Sequence, residues 1–119
     1  MILEIEKKAA GNIVVLEMTG RITLGRDCQQ IETGVDELVR GKQTRIVFDL
    51  SKVKYMDSSG VGIMVMCSGK VREAGGELRL AGATGVVEQT LQLTRMSAIV
   101  PTFTTLAEAL ADFPEARAS

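Results

Sequence analysis

Between Arg45 and Val71 the hydrophobic period changes once, and the change falls on four residues. Arg45-Ile46-Val47-Phe48-Asp49-Leu50 is β-branched and continuously apolar at its centre. That is the pattern of a strand buried on both faces of a parallel sheet. After Asp57-Ser58-Ser59-Gly60 a helical pattern begins, through Val61, Met64, Val65, Ser68 and Val71. A buried strand feeding a helix through a short turn is the opening half of a parallel crossover unit, so an all-helical or all-β domain is excluded.

The flanking sequence extends this unit in both directions. Leu3 and Ile5 alternate with Glu4 and Glu6, Gly11-Asn12 marks a turn, and Ile13–Met18 follows as a second strand. The pair predicts a hairpin, so the first strand runs antiparallel. Cys28, Ile31, Val35, Leu38 and Val39 lie on one helical face; Gly41 is placed to end that helix, and Gly34 inside it to allow a close backbone approach. Gly75-Gly76 stops the helix that begins near Ser58. Leu78 and Leu80 then mark a strand, Val87 and Leu91 a short helix, and Ile99-Val100 with Phe103 a last short strand. Thr105-Leu106-Ala107-Glu108 has the spacing of a capping box and opens a final helix through Leu110. The order β-β-α-β-α-β-α-β-α predicts a mostly parallel sheet of about four or five strands with about four helices. The 119 residues suit one domain, expected over residues 1–113, with 114–119 as a short flexible tail.

Several chemistries are excluded by what the chain lacks. It contains no histidine, so neither a Ser-His-Asp triad nor a His/Cys zinc site can be assembled, and no enzymatic role is expected. Fourteen basic and 15 acidic residues give a net charge of −1, which makes no electrostatic case for nucleic acid. Cys28 and Cys67 are isolated, as buried or idle thiols in a reducing compartment usually are. The N-terminus alternates and carries charge, unlike a secretory signal. The apolar stretch Val61–Cys67 is far shorter than the ~20 residues that span a bilayer. A cytoplasmic protein without membrane insertion is expected, as a monomer or weak dimer. Gly60-Val61-Gly62 lacks the third glycine of a dinucleotide fingerprint, and Gly69-Lys70 lies inside a helix instead of before one, so no cofactor is expected. Met56, Met64 and Met66 suit either an adaptable partner surface or core filling, with core expected for at least two.

Asp57-Ser58-Ser59-Gly60 admits two readings. In one, Asp57 is a helix N-cap accepting from the N–H of residue 59 or 60, the serines merely open the helix, and Gly60 permits tight packing. In the other, the same geometry exposes the Ser58 hydroxyl at the carboxyl end of a strand, beside free N–H groups that tolerate a phosphate. Without a histidine to act as base, Ser58 fits a serine modified by another enzyme better than one that catalyses.

The run Val47-Phe48-Asp49-Leu50-Ser51-Lys52-Val53-Lys54-Tyr55-Met56-Asp57-Ser58-Ser59-Gly60-Val61-Gly62 resembles the signature of the STAS domain, especially in bacterial anti-sigma factor antagonists. Gly75–Leu80, Leu93-Thr94 and Thr105–Leu110 resemble later features of that family. The resemblance implies that Ser58 is a phosphorylation site supported by Asp57, Ser59 and Gly60. It also implies an ATP-using anti-sigma serine kinase as partner, a metal-dependent serine phosphatase that restores the hydroxyl, and a free form that binds the anti-sigma factor and releases a sigma factor. Two departures stand out: Thr23 where the family often has an acidic residue, and Arg95 where it often has glycine. Two other classes stay open: a STAS subunit of a lipid-transport or signalling complex whose Ser58 is never modified, and a small-ligand or nucleotide sensor. The partner surface is expected to gather Ser58 and Ser59 with Thr23, Leu24, Gly25 and Arg26 and with Ala83, Thr84 and Gly85, since each segment follows a strand's carboxyl end.

Overall fold

A computed structural model describes residues 2–111 and Phe113. The N-terminal alternation becomes β1 (Glu4–Ala10), and Gly11, at φ 63°, turns the chain into β2 (Ile13–Ile22). The two pair antiparallel from Glu4↔Thr19 to Ala10↔Ile13. There follow α1 (Arg26–Arg40), β3 (Arg45–Met56), α2 (Ser58–Glu73), β4 (Glu77–Ala81), α3 (Gly85–Leu93), β5 (Thr102–Phe103) and α4 (Leu106–Ala111). The sheet order is β1-β2-β3-β4-β5, and every pairing after the first is parallel. The fold is thus the expected α/β sheet with one antiparallel N-terminal strand.

β3 lies at the centre, which explains its unbroken apolar run. Ile46, Phe48 and Leu50 join the larger core with Ile31 and Val35 of α1, Met64 and Cys67 of α2, and Val87 of α3. Val47 points the other way, into a smaller core with Ile13, Val15, Ala81, Ala109 and Phe113. Arg79, only 5% exposed, closes that second layer. Its guanidinium lies 4.2 Å from the Phe113 ring centroid and 5.1 Å from that of Phe103, and it donates to the Ala109 carbonyl at 3.4 Å. The capping box forms as its spacing predicts: the Glu108 N–H donates to Thr105 Oγ1 at 3.1 Å. Met56 and Met64 are core residues, whereas Met66 is exposed.

The structure corrects four local expectations. β3 does not stop near Leu50 but runs to Met56 beside an equally prolonged β2. Its ladder with β4 ends at Asp49↔Ala81, so the last part of β3 overhangs that neighbour by roughly 20 Å at strand rise. Ile99-Val100 is not strand; both N–H groups donate back to the Met96 carbonyl and close a 3₁₀ turn over Met96–Ala98. Gly34 makes no close approach, since a Cβ there would meet nothing within 4 Å. Gly41 ends α1 at an ordinary φ of −82°, and it is Lys42, at φ 61°, that takes the left-handed position. The expected tail, 114–119, lies outside the described residues.

Arg95 sits in the same left-handed region, at φ 54°, directly after the C-cap Thr94 of α3. A Cβ there costs about 1–2 kcal/mol, a penalty glycine escapes, though glycine also loosens the unfolded chain. Arg95→Gly is therefore expected to stabilise the domain by a net ~0.5–1 kcal/mol and raise Tm by about 3 °C in a thermal melt.

Candidate functional site

Parallel β2 and β3 end side by side, and the turns that leave them are bonded together. The Asp57 N–H donates to the Ile22 carbonyl at 3.2 Å, continuing the ladder one step past β3. The Asp57 side chain then serves two segments at once. Oδ1 accepts from the Gly60 N–H at 3.0 Å and caps α2; Oδ2 accepts from the Leu24 N–H at 3.3 Å and holds the β2–α1 turn. That turn is tied from its other side by Asp27, whose Oδ2 accepts from the Thr23 N–H at 3.0 Å and from Thr23 Oγ1 at 2.9 Å. Gly25, at φ 100°, reverses the chain into α1. Gly60 has no room for a side chain, because a Cβ would strike Met56 and Ile22. The close packing puts the first turn of α2 directly on the strand ends and leaves Ser58 exposed at the helix amino end.

The Cys28 sulfur lies between the two turns, 3.4 Å from the Thr23 carbonyl and 3.6 Å from the Ser59 carbonyl, the two acceptors within reach of its single S–H. Burial, and then the nearby charges of Asp57 and Asp27, raise its pKa above the ordinary thiol value. Burial pushes the Cys67 thiol up to about 12, against a small opposing effect of Lys70. Both thiols are protonated and weakly nucleophilic near neutral pH. An alkylating reagent at pH 8 is expected to label Cys28 slowly and Cys67 only after unfolding, as read by mass spectrometry. The unfolded Cys67 thiol ionises near 9 while the folded one keeps its proton to about 12, so this group contributes stability below pH 9 that is lost as pH rises from 9 to 12. Among the described residues, no group of acidic, Cys or His side chains could hold a metal ion.

The whole arrangement fits one family. The STAS domain model matches residues 4–109. The chain belongs to the STAS domain family. An anti-sigma F factor antagonist of Paenibacillus polymyxa is 23% identical over 113 residues, which are 94% of this chain and 96% of that one. Among solved structures, a candidate anti-sigma factor antagonist from Thermotoga maritima superposes with a TM-score of 0.83 at 25% identity, covering 91% of this chain and 92% of its own. The Bacillus cell-fate determinant SpoIIAA in its phosphorylated form has a TM-score of 0.69 at 18% identity, over 91% of this chain and 97% of its own.

In this STAS domain the expected surface residues separate into two levels. The Asp57–Gly60 turn is joined to the Thr23–Arg26 turn by the Leu24 N–H bond to Asp57 and, through the Ser59 carbonyl, to Cys28 just beyond it; Leu24 itself is 78% exposed. Ala83, Thr84 and Gly85 follow β4, whose ladder with β3 ends at Asp49, seven residues before Met56. They share the sheet's carboxyl edge in direction but stand a step below the serine turn. Asp27 and Cys28 were not singled out from sequence as part of this site. The Thr23-to-Asp27 spacing carried the signal, since a short polar residue four ahead of an aspartate can tie a turn to the helix it opens. No helix of the described chain is long and apolar enough to cross a membrane.

Proposed function

We propose that this chain is an anti-sigma factor antagonist switched by phosphorylation of Ser58. The observation that carries the reading is the serine turn: Ser58 is solvent-exposed in the first turn of α2, on a backbone held by the two-way bonding of Asp57. The relatives' names support the antagonist role, and the existence of a phosphorylated form of the structural neighbour SpoIIAA supports a phosphorylated state on this fold. In this reading an anti-sigma serine kinase binds the unmodified turn, with Leu24 as its apolar contact and Arg26 and Ser59 around it. Ala83, Thr84 and Gly85 form the lower margin of the same surface. The protein acts in the cytoplasm, is itself no enzyme, and is returned to the free state by a serine phosphatase.

Phosphorylation adds about −1.5 to −2 charges and three acceptor oxygens. The helix amino end offsets them by ~0.3–1 kcal/mol, while the adjacent Asp57 repels them, so the change stays local. An interface closed over Ser58 has to bury that charge, and an unpaired buried charge costs several kcal/mol. The test is calorimetric titration of the purified cognate kinase with the protein before and after modification by kinase and ATP. Affinity is expected to fall by about 100-fold or more. Ser58→Ala is expected to bind but accept no phosphate. Equal affinity of the two forms would discard the switch.

A further inference from the structure

A cavity of about 550 Å³ lies between α1 and the β1–β2 hairpin, within the ~300–1,000 Å³ of small-molecule sites. Two of the residues that line it are not the ones the fold asks for. On β1, Leu3 and Ile5 join the larger core. Lys7 is next on that face, because strand side chains alternate, so a cation stands where the pattern calls for an apolar residue. On α1, Gly34 lines the same cavity. A Cβ there would meet nothing within 4 Å and the backbone φ is not positive, so neither crowding nor conformation demands glycine, the poorest helix former after proline. A side chain at this position would occupy the space that glycine leaves open.

The rest of the lining sorts occupants by chemistry. Its floor is aliphatic, with Leu16 and Leu38 buried and Ile5 half-buried beside them. No aromatic ring is among the lining residues, so a nucleobase has nothing to stack on. Two exposed cations, Lys7 and Arg26, stand against one carboxylate, Glu37. Among the described residues none of the three is in an ion pair. The surplus of positive charge favours an anion, and the floor favours an aliphatic body.

We propose that the cavity between α1 and β1 binds a small aliphatic carboxylate, its chain on Ile5, Leu16 and Leu38 and its charge drawn by Lys7 and Arg26. The occupant is a free, water-soluble molecule and not a membrane. The site is separate from the serine turn and does not depend on the serine-switch reading.

The test is a titration of the full chain with octanoate, followed by amide chemical shifts in NMR. Acetate serves as the charge without the chain, and 1-octanol as the chain without the charge. Octanoate is expected to give saturable shifts at Ile5, Lys7, Thr33 and Gly34, with a dissociation constant on the order of 1 mM or below. Acetate and octanol are each expected to bind about tenfold more weakly or worse. Gly34→Leu is expected to raise the melting temperature, because leucine is the better helix former, and to abolish the octanoate shifts by filling the cavity. Lys7→Gln combined with Arg26→Gln is expected to reduce octanoate affinity about tenfold, to the level of octanol, with the fold unchanged. The proposal is overturned by octanoate shifts that do not saturate or that lie elsewhere. Octanoate binding that survives Gly34→Leu, or that is indifferent to the loss of both cations, overturns it equally. Co-sedimentation with phosphatidylglycerol vesicles in the absence of octanoate shifts would assign the charge to a membrane surface and also overturn it.

Discussion

Gly76→Ala is expected to destabilise the domain by about 3 kcal/mol or more, although it adds one methyl group. The new Cβ would overlap the carbonyl group of Thr44, which is backbone and has no rotamer to escape into. That carbonyl also cannot withdraw freely, because it accepts from the Glu77 N–H at 2.8 Å, where the β3–β4 ladder begins. The neighbouring glycine provides the control. Gly75 has open space around it but a φ of +87°, so Gly75→Ala carries only the left-handed penalty of ~1–2 kcal/mol. Urea denaturation of both variants reads the difference, and a thermal melt is expected to show Gly76→Ala lowered by roughly 10 °C. Two equal losses would mean that Thr44 does not confine the turn.

Asp57→Ala is expected to cost about 2 kcal/mol, made up of a lost helix cap and a lost charge-assisted bond to the β2–α1 turn. Asp57→Asn separates the two. Its amide oxygen can still accept from the Gly60 N–H, but its NH₂ then faces the Leu24 N–H, donor against donor. A loss of about 1 kcal/mol is expected for asparagine, with the same faster amide exchange at Leu24 as in the alanine variant. Exchange at Leu24 that stays at the wild-type rate in both variants would show that Asp57 acts as a cap alone. Under the proposed function, kinase affinity is also expected to fall in both, because that reading places the contact surface on the Leu24 turn held beside Ser58.

The readability of the sequence followed the range of each interaction. The cap of Asp57 on Gly60 was legible because its donor and acceptor lie three residues apart, and that spacing is chemistry enough. The strand Ile46–Leu50 was legible because both faces are covered, which demands an unbroken apolar run. The prolongation Ser51–Met56 was not. There the buried residues are Val53 and Met56, three apart, because the pairing with β2 slips after Glu17 and again after Gly20. A bulged ladder breaks the two-residue period on which strand reading rests. Val100 is buried and β-branched like a strand residue, yet its amide is already taken by Met96. The union of the serine turn with Leu24 crosses 33 residues, and no local pattern announces it. In the same way, the lower placement of Ala83–Gly85 depends on where β4 ends relative to β3, a matter of strand length that periodicity does not report.

The order of strands across the sheet is also their order along the chain. A polypeptide leaving the ribosome amino end first can therefore lay each strand against the edge formed just before it, and no strand has to be threaded between two that are already paired. The pieces that must find each other are separated mainly by a single intervening helix, which keeps loop-closure costs low and folding fast for a parallel sheet. At each stage the exposed growing edge belongs to the newest strand, while the opposite border is β1, whose charged Glu4, Glu6, Lys7 and Lys8 side chains discourage unwanted neighbours. Growth ends with a strand of only two residues, too short a template to recruit another chain.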